Sequence, residues 1–246
     1  MTEAPAGVAA VDRALSILTA FDDRKPSLSL AELAQKTGLY KSTILRLITS
    51  LEGAGYVRRL SSGQYQLGPE VLRLGSIYQH TFQLGHFLEP ELERLAATTG
   101  ESAAFYVRDG PDKVCLYRVN ATQHVVLRYI QPGYRAEVEL GASGKILLAF
   151  TEPDNPAFEP VRRVPLVASL TGREAGSAAL ACPVFGPADS FQGALVLAGP
   201  ITRFSPEDLR NLAPHLLDAA IRTTRNIGGD ARPLETLTHD LPLTLV

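Results

Sequence analysis

The most informative stretch of the chain spans residues 29–52 and reads SLAELAQKTGLYKSTILRLITSLE. Ser29 and Glu32 have the spacing of a capping box, in which a serine hydroxyl and a glutamate carboxylate satisfy free amides in a helix's first turn. The apolar periodicity of this short helix stops at Gly38 and resumes at Lys41, where a second helix begins. The stretch therefore predicts two short helices joined by a glycine turn.

The residues on either side of this helix pair complete an N-terminal domain. An earlier helix is predicted from apolar residues whose spacing places them on one buried stripe, namely Val11, Ala14, Leu15 and Leu18. Two β-rich segments at 56–60 and 64–67 flank a polar tip and predict a hairpin. Residues 8–68 thus predict a winged helix-turn-helix domain. Pro69 then opens a connector helix at 69–85 with an apolar stripe of Val71, Leu74 and Tyr78.

The rest of the chain mixes helical and period-two patterns and predicts an α+β domain at 86–229. A helix is expected to follow Pro90 and to end at Gly100, and Gly141–Phe150 predicts a loop that leads into a short helix. Ser205 caps a last helix that Pro214 is expected to kink or break. Strands are predicted at 103–108, 113–119, 124–130, 178–185 and 193–198. Residues 230–246 form a tail with no usable periodicity.

Composition excludes several classes of function. The chain has 246 residues, 45% of them hydrophobic, and its longest uncharged apolar stretch, at 175–188, is too short and too rich in Gly and Pro to span a bilayer. Acidic Glu3 and Asp12 stand where a secretory leader would be basic, so a cytoplasmic location is expected. Cys115 and Cys182 form no CxxC pair and are expected to be core thiols.

The inventory of reactive groups predicts neither an enzyme nor a cofactor. The five histidines are scattered without metal-ligand spacing, and no serine-histidine-aspartate elbow or phosphate-binding glycine loop is visible. Glu137 and Glu139 face one side of an extended segment, where surface carboxylates are the simpler interpretation. Lys145 is expected to be a solvated residue at a helix start. No catalytic residue and no metal ligand is therefore assigned.

Positive charge is concentrated in the N-terminal domain although the net charge of the chain is −2. Between residues 36 and 67 a single anion, Glu52, faces five cations, which are Lys36, Lys41, Arg46, Arg58 and Arg59. Residues 68–246 hold sixteen Lys and Arg against twenty Asp and Glu. The sequence thus predicts a small basic patch on an acidic body, which suggests contact with a polyanion.

The helix that begins at Lys41 has a polar face that suits DNA. Its apolar residues Ile44, Leu47, Ile48 and Leu51 leave Ser42, Thr43, Arg46 and Ser50 on the other side. Arg46 can donate two hydrogen bonds to a guanine edge, and Tyr40, Lys41, Ser42 and Thr43 stand where a helix start meets phosphates. Arg58 and Arg59 flank the wing. The alternatives are a solvated amphipathic helix and a winged helix that contacts protein instead of DNA.

Five segments of the sequence resemble the IclR family of bacterial transcription regulators. They read VDRALSIL at 11–18, LAELA at 30–34, KSTILRL at 41–47, GYV at 55–57 and YQLG at 65–68. The resemblance covers most of residues 8–228. It implies a winged helix that binds a palindromic double-stranded operator as a dimer or a pair of dimers, and a GAF-like antiparallel-sheet effector domain. Arg13 would match the family's arginine that lies close to DNA.

The second half resembles the family with departures that bear on the effector. The segment LGASGKILLA at 140–149 is similar to the loop and helix that line the effector pocket, which assigns Gly141, Ala142 and Ser143 to it; for Ser143, capping of that helix is the alternative. Ala179, Val196 and Ala198 stand where the family carries a cysteine and two serines. These replacements cannot hydrogen-bond a small carboxylate, so an organic effector more apolar than the usual small acid, or none, is expected.

Two further expectations follow from the resemblance. The chain between Phe150 and Gly176 is expected to lack room for the helix and strand usual there. The lost hydroxyls also favour a sensor domain that has become purely a dimerisation domain. An enzyme with its site near Gly141–Lys145 is the remaining rival interpretation, and the catalytic inventory does not support it.

Overall fold

The computed structural model describes residues 7–22, 25–81, 84–121, 130–170, 176–238 and 242–246. The chain divides into two units, residues 1–81 and 82–246, which are called the N-terminal unit and the C-terminal unit below. In the described ranges, no helix is both long and apolar enough to cross a membrane.

The N-terminal unit contains the predicted helix pair and hairpin. Its three-stranded antiparallel sheet has the order β1-β3-β2, in which the two-residue strand β1 was not predicted. The elements in chain order are α1 (Ala9–Leu18), β1 (Ser27–Leu28), α2 (Leu30–Thr37), α3 (Lys41–Gly53), β2 (Val57–Arg59), β3 (Tyr65–Leu67) and α4 (Pro69–Thr81). Their shared core consists of Ile17, Leu28, Leu33, Ile44, Ile48, Val57 and Tyr65.

Local signals fix the helix pair as the sequence predicts. The backbone N–H of Ser29 donates to Glu32 Oε2 at 2.8 Å, and the N–H of Glu32 donates back to Ser29 Oγ at 3.3 Å, which confirms the capping box. Gly38 ends α2 with a φ of 69°, a left-handed conformation that glycine adopts without strain. The turn that positions α3 therefore depends on three residues of the sequence.

The predicted burial of α1 is wrong. Val11 and Leu15 are 53% and 54% exposed, and the buried residue of the helix is Ile17. The helix packs against α2 and α3 through the side that carries Ile17, with Ala14 and Leu18 half-buried. The apolar periodicity was real, but two of the four residues of the stripe, Val11 and Leu15, face away from the core.

The C-terminal unit is an α+β fold built on one seven-stranded sheet. The strand order is β10-β7-β8-β9-β4-β5-β6, and every pairing is antiparallel except that of β10 with β7. The strands are β4 (Ser102–Asp109), β5 (Asp112–Val119), β6 (Arg135–Glu137), β7 (Val167–Ser169), β8 (Ser177–Phe185), β9 (Phe191–Pro200) and β10 (Thr244–Leu245). The helices are α5 (Gly85–Thr99), α6 (Gly141–Thr151), α7 (Glu159–Arg163), α8 (Pro206–Asn226) and α9 (Arg232–Glu235).

Helices cover both faces of this sheet and make two apolar clusters. Helices α5 and α8 pack on one face, where Phe105, Leu197 and Leu216 belong to the larger cluster. Helix α6 packs on the opposite face against β7, β8 and β9, where Ile146 and Val196 belong to the smaller cluster. This second face, under α6, is called the sensor face below.

Two helix predictions in the C-terminal unit, those at the two prolines, need correction, and two predicted helix boundaries are confirmed. Helix α5 begins at Gly85, so that Pro90 lies inside it, because the burial of Leu88 and Leu92 holds both sides of the proline in one helix. Helix α8 likewise continues through Pro214 to Asn226. Gly100 ends α5 and Ser205 caps α8, as predicted.

Residues 150–176 and the C-terminal tail, for which no helix or strand was predicted, contain both helices and strands. The chain between residues 150 and 176 accommodates helix α7 and strand β7, against expectation. The tail is packed rather than unstructured, since Leu234 is fully buried and β10 extends the sheet beside β7. The predicted strand at 124–130 lies outside the described residues except for Ile130, and β6 was not predicted.

Candidate nucleic-acid interface and effector site

Helix α3 presents its polar residues to solvent as the sequence predicts. Ile44 and Ile48 are buried against the core of the N-terminal unit, with Leu47 and Leu51 half-buried beside them. The opposite side exposes Ser42, Arg46 and Ser50, and Thr43 is half-buried. The periodicity of the helix therefore leaves a polar face available for a partner.

The start of α3 is open to an anion. Tyr40 is the N-cap residue, is 85% exposed, and makes no side-chain hydrogen bond to the first turn. The amides of that turn keep free N–H groups, and the helix dipole adds partial positive charge there. Exposed Lys41 stands at the same point. Free amides, the dipole and a lysine together favour a phosphate oxygen.

The wing carries the other two predicted cations. Arg58 and Arg59 are exposed on β2 and pair with Gln66 and Tyr65 of β3. The guanidinium carbon of Arg59 lies 5.8 Å from the centre of the Tyr65 ring, a cation–π distance that holds the side chain over the sheet. The hairpin tip turns at Gly63, whose φ is 82°.

The fold brings most of the predicted DNA-binding residues onto adjacent elements. Strand β2 packs against α3, and the N–H of Tyr56 donates to the carbonyl of Leu51 at 2.9 Å where the two elements join. Arg13 is exposed on α1, which also packs against α3. The candidate interface consists of Arg13, Tyr40, Lys41, Ser42, Thr43, Arg46, Arg58 and Arg59.

The candidate cations differ in ion pairing from the other described cations of the N-terminal unit. Lys25, Lys36 and Arg73 are paired with carboxylates, those of Glu32, Asp22 and Glu70 respectively. In contrast, within the part of the chain that the structure describes, the candidate cations on α1, α3 and β2 form no ion pair. The hydrogen bonds from Lys25 and Ser29 hold the pKa of Glu32 near 2, so that carboxylate stays charged at neutral pH.

The predicted effector residues of β8 and β9 lie together on the sensor face. Ala179 pairs directly with Ala198, and Ala181 pairs with Val196, two residues away along the same two strands. Val196 is buried in the smaller cluster, and Ala179 and Ala198 pack at its edge. Ala142 of α6 belongs to the same cluster. The surface that these residues form is apolar, in keeping with their side chains.

Ser143 is engaged by a buried lysine that the sequence analysis missed. Lys113 of β5 is 8% exposed, and its Nζ donates to Ser143 Oγ at 2.9 Å and also to the carbonyl of Leu140. Ser143 is 6% exposed, and Gly141 begins α6 with a φ of 68°. Lys113 thus fixes the start of α6. The signal was a lysine at the start of the segment KVCLYRV at 113–119, whose only other charged residue is Arg118.

The two cysteines are core thiols, as predicted. Both are free and buried, and burial raises the pKa of Cys115 to about 12 and raises that of Cys182 as well. A protonated thiol is a poor nucleophile, so neither group is suited to covalent chemistry near neutral pH. Among the described residues, no cluster of His, Cys, Asp and Glu could hold a metal ion.

Known proteins of the same architecture include transcriptional regulators. The "HTH-type transcriptional regulator KipR" of Bacillus subtilis (strain 168) is 28% identical over 229 residues, which cover 83% of this chain and 91% of the relative. A solved putative IclR transcriptional regulator structure from Silicibacter sp. TM1040 is 27% identical with a TM-score of 0.70, covering 92% of this chain and 99% of the other. An IclR homologue from Microbacterium hydrocarbonoxydans, solved in complex with 4-hydroxybenzoate, shares the fold at 19% identity, with a TM-score of 0.72 over 89% of this chain and 99% of its own.

Two family models match the two halves of the chain. The model described as "IclR helix-turn-helix domain" matches residues 10–61, and the one described as "Bacterial transcriptional regulator IclR C-terminal" matches residues 77–168. Together with the helix pair, the wing and the seven-stranded sheet, these matches assign both units to one family. The chain belongs to the IclR family of bacterial transcriptional regulators.

Proposed function

We propose that this regulator binds a palindromic operator as a homodimer or a pair of dimers, through α3 and the wing. The observation that carries the proposal is the unequal pairing of cations in the N-terminal unit. Among the described residues of this unit, the cations away from the candidate interface, Lys25, Lys36 and Arg73, are paired with carboxylates, whereas the cations on α3 and β2 form no ion pair and remain available to phosphates and bases. Such a regulator acts in the cytoplasm.

The position of each cation suggests a different role in DNA recognition. Helix α3 enters the major groove, where Arg46 reads a guanine through two hydrogen bonds to its O6 and N7. Tyr40, Lys41 and Ser42 at the helix start contact phosphates, as do Arg58 and Arg59 from the wing. Arg13 contacts the backbone from α1. Specificity therefore depends chiefly on α3, and salt sensitivity depends on the phosphate contacts.

Two exposed apolar stripes support self-association of the N-terminal unit. Helix α1 exposes Val11 and Leu15, four residues apart on one side, and its N-cap residue Val8 is exposed as well. Helix α4 exposes Leu74, Ile77 and Tyr78 on one side, at spacings of three and four residues, and Leu72 on another side. Continuous apolar stripes of this kind mark interfaces. A two-fold symmetric dimer then presents two α3 helices to two half-sites, which makes the operator a palindrome.

The C-terminal unit binds the effector in this proposal. The relative from Microbacterium hydrocarbonoxydans is a fold neighbour solved with 4-hydroxybenzoate, which supports the proposal that this chain also has a small-molecule effector. An effector changes operator affinity only if it binds one arrangement of the dimer more tightly than another. The competing proposal, that this unit serves dimerisation alone, predicts no ligand at all.

A selection from random duplexes tests DNA binding and identifies the operator in the same experiment. Purified full-length protein is incubated with the duplexes at low salt, and the enriched sequences are determined. Enrichment of a palindrome, with affinity that falls steeply as salt rises, is the expected result. If a folded oligomer enriches no sequence, or binds without salt dependence, the winged helix serves protein contacts and the proposal fails.

A further inference from the structure

Arg118 of β5 belongs to the sensor face because of a β-bulge. On β4, Phe105 and Tyr106 are consecutive, and they pair with Tyr117 and Cys115 of β5. Leu116, which lies between these two partners, is therefore an extra residue in β5. The bulge shifts the alternation of side chains, so that Cys115 and Arg118, three residues apart, point to the same side. Arg118 pairs with Ala104, a member of the cluster under α6.

The pairing extends as a row across the sheet to the predicted effector residues. Ala104 also pairs with Val196 on β9, and Val196 pairs with Ala181 on β8. Neighbouring strands are about 4.8 Å apart, so the Cα atoms of Arg118 and Val196 are separated by about 10 Å. Ala198 follows two residues beyond Val196, on the same side of β9. A cation thus lies at one end of an apolar row.

The guanidinium of Arg118 is incompletely paired. Its Nε donates to the amide oxygen of Asn120 at 2.7 Å, a neutral partner. Within the described ranges, its Nη1 is buried and has no hydrogen-bond partner, and the side chain forms no ion pair. Its positive charge opposes the rise that burial causes in the pKa of Cys115, which lies on the same side of the sheet.

Two buried carboxylates in the C-terminal unit are compensated. Glu91 is paired with both Arg94 and Arg222, and Glu101 is paired with Arg203. A buried N–H of a guanidinium without a partner, such as Nη1 of the half-buried Arg118, is costly because water no longer solvates it. The neighbouring stretch 122–129 reads TQHVVLRY and contains no Asp or Glu in its sequence. Among the described residues, the protein therefore supplies no anion that pairs with Arg118.

We propose that Arg118 selects the effector, which is an organic anion: Nη1 donates to its carboxylate, and its apolar body lies against Ala179 and Ala198, the half-buried residues at the edge of the smaller cluster. The inference rests on the proposed function of the C-terminal unit and names the ligand's chemistry. It revises the expectation of a more apolar ligand, because the lost serine hydroxyls are replaced by a guanidinium from another strand. An arginine fits a carboxylate better than a hydroxyl does, since its hydrogen bond is charge-assisted.

Matched probes test this assignment on the full-length protein. Acetate, hexanoate and benzoate supply the carboxylate with bodies of different size, and benzamide has the shape of benzoate without its charge. Thermal unfolding and isothermal titration are measured for wild type, Arg118→Met and Arg210→Met; Arg210 is an exposed arginine on α8 and serves as the control. We expect at least one carboxylate to stabilise wild type while benzamide does not. Arg118→Met should weaken that binding at least tenfold, and Arg210→Met should not.

The unliganded variants give a second readout. Arg118 is a half-buried side chain, and Arg118→Met removes its one buried nitrogen without a hydrogen-bond partner, Nη1, so the ligand-free unfolding temperature should equal or exceed that of wild type. A lower ligand-free unfolding temperature would show that Arg118 is a structural residue and would overturn the assignment. So would equal binding of benzoate and benzamide, unchanged binding in Arg118→Met, or no stabilisation of wild type by any carboxylate. Operator selection by wild type is independent of all these results, so the two proposals fail separately.

Discussion

Replacing Arg46 by alanine should remove one base contact from each half-site and leave the fold intact. Arg46 is exposed on α3, and exposed substitutions of this kind change stability by less than about 0.5 kcal/mol. A two-hydrogen-bond contact to guanine contributes about 1–3 kcal/mol of discrimination. At about 1.4 kcal/mol per factor of ten, Arg46→Ala should weaken each half-site about 5–150-fold. With two half-sites, a palindrome should lose about 2–6 kcal/mol.

The assay is a binding titration on the selected operator and on versions with one base pair changed. Wild type and Arg46→Ala are titrated against the palindrome, against operators altered at each position in one half-site, and against an unrelated duplex. At one position, the base change should weaken wild-type binding and leave Arg46→Ala binding unaltered. That coupling between residue and base identifies the guanine, because independent sites would give additive losses.

Two controls make the result decisive. Ser50→Ala lies on the same exposed side of α3, further from its start, and should retain both affinity and base preference. Circular dichroism and thermal unfolding should show that Arg46→Ala folds like wild type. If Arg46→Ala binds all duplexes more weakly by one common factor, Arg46 contacts phosphate and the assignment of base readout is refuted. If nothing changes, the residue lies outside the interface.

Three further predictions address the wing, the dimer and the tail. Arg59→Ala should weaken binding to all sequences alike and reduce the slope of log affinity against log salt by about one per half-site, as salt titrations would show; a change in base preference would contradict a phosphate contact. Leu15→Glu should shift sedimentation toward monomer without loss of helix content, whereas Gln35→Glu, on the surface of α2, should not. Leu234→Ala should destabilise the C-terminal unit by about 2–5 kcal/mol in denaturant titrations, and a neutral result would mean that the tail is not part of its core.

The N-terminal unit could be predicted from sequence wherever the determining signals were local. Ser29 and Glu32 satisfy each other across one helical turn, and Gly38 supplies the left-handed turn, so three nearby residues place α3. The polar face of α3 followed from the same helical periodicity. The exposed positions of Ser42 and Arg46 were therefore predictable, although the roles assigned to them on DNA remain predictions.

Elements that depend on distant partners were not predictable. Strand β1 has two residues and exists because β3 lies beside it, and β10 exists because β7 offers a parallel edge. Pro90 was expected to precede a helix, but the buried leucines around it continue the helix on both sides. Local propensity is a weak guide where tertiary contacts decide the outcome.

The error at α1 has a physical cause that is informative about function. Apolar periodicity shows that a helix side avoids water, but it does not say whether the covering surface belongs to the same chain. In α1 the intramolecular core receives Ile17, whereas Val11 and Leu15 stay exposed. A pattern that is strong in sequence and unburied in the isolated chain is the combination expected for a subunit interface. The wrong prediction of burial thus supports the proposed dimer.

The sensor face shows the opposite limitation, because a single bulge decided which polar groups reach it. Strict alternation along β5 would separate Cys115 from Arg118, and the extra residue Leu116 reverses this. Periodicity alone therefore did not indicate that a guanidinium joins Ala179, Val196 and Ala198 on one side of the sheet. Side chains taken in isolation suggested an apolar site, whereas the paired strands show an apolar surface with a cation at its end.

The uncompensated cation also suggests where the energy for regulation comes from. A ligand can shift a conformational equilibrium only by the difference between its affinities for the two states. Because Arg118 lacks an anion among the described residues of the ligand-free chain, a carboxylate that pairs with it gains a charge-assisted hydrogen bond and at the same time supplies a partner for the buried Nη1. An arrangement of the dimer that leaves Nη1 accessible would gain this free energy, and one that occludes it would not. Arg118→Met should therefore abolish the effect of the anion on operator affinity while leaving ligand-free operator binding unchanged.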